Sequence, residues 1–125
     1  MNVSLYFRWS VSLTGSTGPT VWWKVTLDST YFIDIIKVYN RLDSGPERID
    51  DVTIKIDDEL VASVIYVSGQ QPYTFPYIQK TGTEVSLWGS TTASSPYLQL
   101  AEVEVYGTPV ASMWNLILIA IQSLV

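Results

Sequence analysis

No stretch of this chain carries a helical period before its last dozen residues. Instead, Val, Ile, Thr, Tyr and Trp recur in short runs separated by clusters of Gly, Pro, Ser and Asp, the pattern of a chain built from many short strands. The cleanest run is Val52, Ile54 and Ile56 alternating with Thr53 and Lys55, a half-buried strand. Residues 21–27 read as a strand closed by an Asp28-Ser29-Thr30 turn. Residues 31–39 read as a second, with Ile33, Ile35 and Tyr39 on one face. Asp57-Asp58 turns the chain into a strand over 60–67, and residues 68–77, with Pro72 and Pro76, read as loop or edge. Strands over 83–88 and 97–106 follow, the last with Leu98, Leu100, Val103 and Val105 inward. Strands at this spacing define an all-β chain, an antiparallel β-sandwich, and 125 residues suffice for one domain with a single core.

Two absences narrow the chemistry. The chain has no His, hence no imidazole base or histidine metal ligand, and no Cys, hence no thiol nucleophile, thiolate zinc site or disulfide. Catalysis would fall to a carboxylate pair. The candidates Asp43, Glu47, Glu102 and Glu104 lack a context that sets two carboxyl groups apart across a cleft. The expectation is a non-catalytic protein. Seven basic residues against twelve acidic ones give a net charge of −5, and the basic residues are scattered, which disfavours a nucleic-acid partner. No secretory leader is evident in residues 1–16, where Arg8 interrupts the apolar run. The apolar stretch 113–125 is shorter than the ~20 residues of a membrane span, so a membrane partner is disfavoured too.

The segment Arg41-Leu42-Asp43-Ser44-Gly45-Pro46-Glu47-Arg48 places two guanidinium groups on one loop between strands. Each is a flat fork of donors that stays charged at any working pH, suited to a ligand rich in oxygen acceptors. Asp43 is spaced to hold Arg41 in place. Trp22 and Trp23 are consecutive on a strand, so their side chains leave opposite faces. One fills the core; the other is available to stack on a sugar ring. The acidic run Asp57-Asp58-Glu59 lacks the glycine-containing loop of a calcium motif and reads as a solvated turn.

Three segments, in order, resemble one family. Val21-Trp22-Trp23-Lys24-Val25-Thr26-Leu27 is similar to the "WWxVDL" strand of F-type lectins (fucolectins) and, more loosely, of discoidin or coagulation-factor C-type domains. Tyr39-Asn40-Arg41-Leu42-Asp43 with Glu47-Arg48 resembles the fucolectin "NRxDCCxER" segment. Residues 98–107 resemble the closing "LxLCEVEVYG" strand. The resemblance is strongest over residues 14–107, within a domain taken as 1–107, and leaves residues 108–125 as an apolar tail.

The resemblance implies a jelly-roll, discoidin-like β-sandwich with a fucose pocket among loops at one end and a structural calcium ion nearby. It assigns Arg41 and Arg48 to the sugar hydroxyls and Asp43 to the support of Arg41. It also implies fucosylated glycans as partners, homo-oligomers or tandem copies for avidity, and an extracellular location. The family's binding His falls at Thr14, or at Ser16 in a shorter spacing, and its adjacent cysteine pair falls at Ser44 and Gly45. Thr14, Ser44, Gly45 and Trp22 are therefore weaker site candidates. Ala101 and Glu102 match the late calcium-binding position, whereas the earlier calcium loop has no counterpart in residues 1–16. The implied domain has lost or replaced its first strand and calcium loop. Residues 5–11, or the apolar tail, are then expected to cover the open sheet edge. These departures support an alternative reading, a discoidin-like adhesion or protein-interaction module that binds no sugar.

Overall fold

The computed structural model describes residues 5–10, 21–90 and 98–112, with the side chains of residues 5, 6 and 10 excepted. Among these residues seven strands occur: β1 (Leu5–Ser10), β2 (Trp22–Asn40), β3 (Thr53–Ile56), β4 (Glu59–Ser63), β5 (Tyr73–Phe75), β6 (Lys80–Trp88) and β7 (Leu100–Pro109). They pair in the order β1-β7-β2-β6-β3-β4, with β5 alongside β2, and every pairing is antiparallel.

β2 serves both layers of a sandwich. Residues 22–26 pair with β6 from Trp88 back to Glu84. After a register irregularity between Thr26 and Tyr31, residues 31–33 lie between β6 and β7 and pair with both, and β2 then continues along β7 as far as Asn40 opposite Leu100. Strands that change sheet at such a corner let one chain build two packed layers. A ring contact shows the layers face to face: Trp23 meets Trp9 of β1 at 5.7 Å, while Tyr31, at the corner, meets Phe7 at 5.2 Å, edge-on. Trp9 opposes Val103, which in turn opposes Val38. The start of β2 therefore lies over its own end, and the strand termini Ser10, Trp22, Asn40, Thr53, Trp88 and Leu100 gather at one end of the sandwich.

Ile36, Val38, Val103 and Val105 from one layer and Ile54, Ile56, Val85 and Leu87 from the other are buried in one core. Each such side chain contributes about 1.5–3 kcal/mol by leaving water. Ile49, Val52 and Leu98, all fully buried, close the core beneath the loop end. At Gly82 a Cβ would lie 2.3 Å from Cγ2 of Ile56, so the close approach of β6 to the end of β3 depends on glycine. Asp57 and Asp58, at φ 49° and 65°, form the two-residue turn from β3 to β4. The Asp57 carboxylate accepts from the amides of Thr83 and Glu84 at 3.1 and 3.0 Å, which accounts for this acidic run as a turn.

Several expectations hold and some shift. Val52, Ile54 and Ile56 point inward, as do Leu98, Leu100, Val103 and Val105. β1 pairs along β7, so the edge is covered by the N-terminal segment, as anticipated. In β2, however, Ile33, Ile36 and Val38 are buried, while Ile35 and Tyr39 are only half-buried. A bulge between Ile33 and Ile35 against β7 reverses the inward phase there. Asp28-Ser29-Thr30 lies within continuous strand rather than in a separate turn. β4 stops at Ser63, β5 is a short strand inside the expected loop, and β7 starts at Leu100 and runs on to Pro109, past the expected strand end at Tyr106.

Candidate functional site

At the end of β2 the chain leaves the sheet at Asn40 and returns at β3 through one 3-10 turn, Pro46–Ile49. Gly45 starts that turn in the left-handed conformation, φ 58° and ψ 49°, which glycine adopts without a Cβ penalty. Pro46 pre-sets the next φ, and the Arg48 amide donates to the Gly45 carbonyl at 3.1 Å. Ile49, fully buried, pins the turn to the core, while its neighbours Glu47 and Arg48 remain exposed.

Polar side chains fix the loop from below. Asn40, almost fully buried, donates through Nδ2 to the Pro46 carbonyl at 2.9 Å. Gln71 embraces the Asn40 backbone: its Oε1 accepts from the Asn40 amide and its Nε2 donates to the Asn40 carbonyl, both at 2.8 Å. Gln99 is the third support. With its amide assigned to satisfy both neighbours, its Nε2 donates to the Ser44 carbonyl at 2.8 Å and its Oε1 accepts from Arg48 Nη1 at 2.9 Å. It is 6% exposed, so both bonds are made away from bulk water, where an unmade one is costly.

Arg41 and Asp43 form a two-point pair, Nε to Oδ1 at 2.7 Å and Nη2 to Oδ2 at 3.3 Å. Both side chains are well exposed, so the pair contributes little to stability; its effect is to orient the guanidinium. The hydrogen bond from Arg41, opposed in part by desolvation, holds the Asp43 carboxyl below its ordinary 3.8. The same hydrogen bond raises Arg41. Arg48 folds back over Gly45: a Cβ there would stand 2.9 Å from Arg48 Nε. The loop thus carries two guanidinium groups, each held by a partner, with Ser44 and Gly45 between them.

The other candidates lie elsewhere. Trp22 is half exposed on the outer face of the β2–β6 layer, 6.0 Å from Trp88, and Trp23 is the one turned toward the core. Thr14 lies outside the described residues. Ala101 and Glu102 stand near the start of β7, and the Glu102 carboxylate is ion-paired with Arg8. Among the described residues no three His, Cys, Asp or Glu side chains converge as a metal site. The calcium assignment to Ala101 and Glu102 stays an expectation of the resemblance alone.

Sequence reasoning missed the three residues that set the loop: Asn40, Gln71 and Gln99. The available signal was a Gln flanked by two core leucines, Leu98 and Leu100, a polar residue in a place where burial demands partners.

No protein-family model and no curated protein sequence matches the chain. Solved structures do. A fucose-binding module of Streptococcus pneumoniae is 28% identical, with a TM-score of 0.56, over 68% of this chain and 62% of that one. A fucolectin from striped bass (Morone saxatilis) serum matches at 24% identity and TM-score 0.61, over 82% of this chain and 35% of that one. The lectin domain of lectinolysin, solved with Lewis B antigen, matches at 24% identity and TM-score 0.57, over 80% and 70%. The chain thus spans less than two thirds of the pneumococcal module. In fold the chain is similar to F-type lectin domains. Its matches are binding modules rather than enzymes, in line with the expected non-catalytic role. No helix among the described residues is long and apolar enough to cross a membrane.

Proposed function

We propose that the chain binds carbohydrate, with a terminal fucose-type sugar held on the Arg41–Arg48 loop. The observation that carries the reading is the fixed state of both guanidinium groups before any ligand arrives: Arg41 on Asp43, Arg48 on Gln99. Donors immobilised in advance lose less entropy when they bind hydroxyls, and charge-assisted hydrogen bonds are among the stronger polar contacts. The pneumococcal module at 28% identity, named for fucose binding, supports the sugar class, and the lectinolysin complex with Lewis B supports a fucosylated glycan. An extracellular site of action fits the serum origin of the striped bass lectin.

The Ser44-Gly45 step favours one other reading. It supplies no apolar wall for the sugar ring, and without such a wall the loop would serve a protein partner, as in discoidin-like adhesion. Calorimetric titration with L-fucose and with a fucosylated oligosaccharide, each with calcium and with a chelator, separates the two. Saturable binding by the parent, lost in Arg41→Ala and in Arg48→Ala with the fold intact by circular dichroism, is expected. Equal binding by parent and variants contradicts the loop assignment, and no binding by a folded parent leaves the adhesion reading. Loss of binding on chelation would establish the calcium requirement implied by the resemblance.

A further inference from the structure

Away from that loop, the outer face of the β2–β6–β3 layer carries an aromatic and cationic cluster that sugar binding by the arginines does not use. Register places Trp22, Trp88 and Thr53 in one row across the three strands and Lys24, Ser86 and Lys55 in the next, all on the face opposite the core. Trp22 is half exposed, and an exposed large aromatic is the informative departure from ordinary burial. Lys24 Nζ stands 4.9 Å from the Trp22 ring centre and 5.1 Å from that of Trp88, while Lys55 Nζ stands 4.5 Å from Trp88. The indoles hold both ammonium groups against the sheet instead of letting them sweep through solvent. Two of the chain's four lysines are thereby gathered onto one small face of a molecule whose net charge is −5.

The cluster is not neutralised from within. Lys24 has Glu84 at 3.9 Å, but Lys55 has no carboxylate partner among the described residues, and the remaining segments of the chain contain no Asp or Glu. From this juxtaposition we infer a second binding site, for an anionic oligosaccharide carrying sulfate or carboxylate groups. The exposed part of Trp22 would take the apolar face of a pyranose ring. Lys55 and Lys24, on strands separated by β6 and so about 10 Å apart at Cα, would take anionic substituents of the same or adjacent sugars. Two cations beside indoles fit an anionic sugar better than a neutral one, because a neutral sugar would leave Lys55 uncompensated.

The test uses the full chain and a heparin-derived sulfated tetrasaccharide, its desulfated counterpart and hexaglutamate, each titrated by heteronuclear NMR. The expected result is saturable, salt-sensitive movement of the Trp22 and Trp88 indole resonances with the sulfated sugar, and roughly ten-fold or greater weakening in Lys24→Ala/Lys55→Ala. Both lysines are on the surface, so the variant should fold, and an unchanged spectrum elsewhere verifies it. Arg41→Ala should leave this binding intact, which separates the site from the arginine loop whether or not that loop binds fucose. Three results overturn the inference: no binding of the sulfated sugar, binding that the double variant retains, or binding that Arg41→Ala removes. Equal affinity for hexaglutamate or for the desulfated sugar also overturns it, the first pointing to an acidic polypeptide and the second to plain stacking.

Discussion

Gln99 joins Ser44 to Arg48 by two hydrogen bonds from a buried position, at the part of the loop where the resemblance puts a cysteine pair and this chain has Ser44-Gly45. A side-chain clamp thus braces the loop in a chain that has no disulfide to do so. Replacing it by Ala removes the acceptor that orients Arg48 and the donor to a backbone carbonyl, at about 1–3 kcal/mol for an unsatisfied buried group. Gln99→Ala should weaken fucose binding more than ten-fold while the protein stays folded, whereas Gln99→Glu, which keeps the acceptor, should retain more of it; calorimetry checks both. The Arg41–Asp43 pair sets the acid limit. Because the Asp43 pKa is lowered on folding, the carboxylate that orients Arg41 is fully formed above the ordinary 3.8 and is lost only as pH falls through the lowered value. Binding should therefore be flat from neutral pH down to about 4.5 and fall in stronger acid, whereas a decline beginning near pH 6 would contradict the assignment. The Arg-x-Asp spacing made this pair legible in the sequence. Gln99 was not legible in that way, because its contacts are made by the topology that brings the start of β7 back beside the end of β2.

At the scale of elements, β2 shows where pattern reading succeeds and where it stops. Its β-branched and aromatic content marks residues 21–27 and 31–39 as two strands, and the structure makes nearly all of both strand but runs them together through Asp28, Ser29 and Thr30. What the pattern does not contain is the bulge against β7, which moves Ile36 and Val38 inward. The insertion of a residue is fixed by the partner strand, so it leaves no local signature. The asymmetric fate of Trp22 and Trp23 followed from alternation alone, but which of them faced outward did not. The contact of β6 with β3 gives a direct check. A methyl at Gly82 would meet Ile56 at 2.3 Å inside the core, so Gly82→Ala should cost about 1–3 kcal/mol, read as a lowered midpoint in chemical denaturation.

For the whole molecule, the corner in β2 matters most. It stacks the two layers so that six strand termini meet at one end, and it hangs the arginine loop there on a platform of buried Ile49, Val52 and Leu98. A rigid sandwich with its variable chemistry on end loops is the usual division of labour between scaffold and site. The proposed pocket would contact one sugar, so monovalent binding should be weak, and display on a tetravalent scaffold should raise apparent affinity for a fucose-coated surface by about 10²–10⁴, measurable by surface plasmon resonance. All of this depends on the two arginines meeting the sugar. The most direct measurement is an NMR titration of nitrogen-labelled protein with L-fucose, following the Nε–Hε signals of Arg41 and Arg48. Both are expected to move together and saturate while the Trp88 indole signal stays still. Fucose-dependent shifts confined to other residues, or two unmoved arginine signals in a folded sample, would contradict the loop assignment.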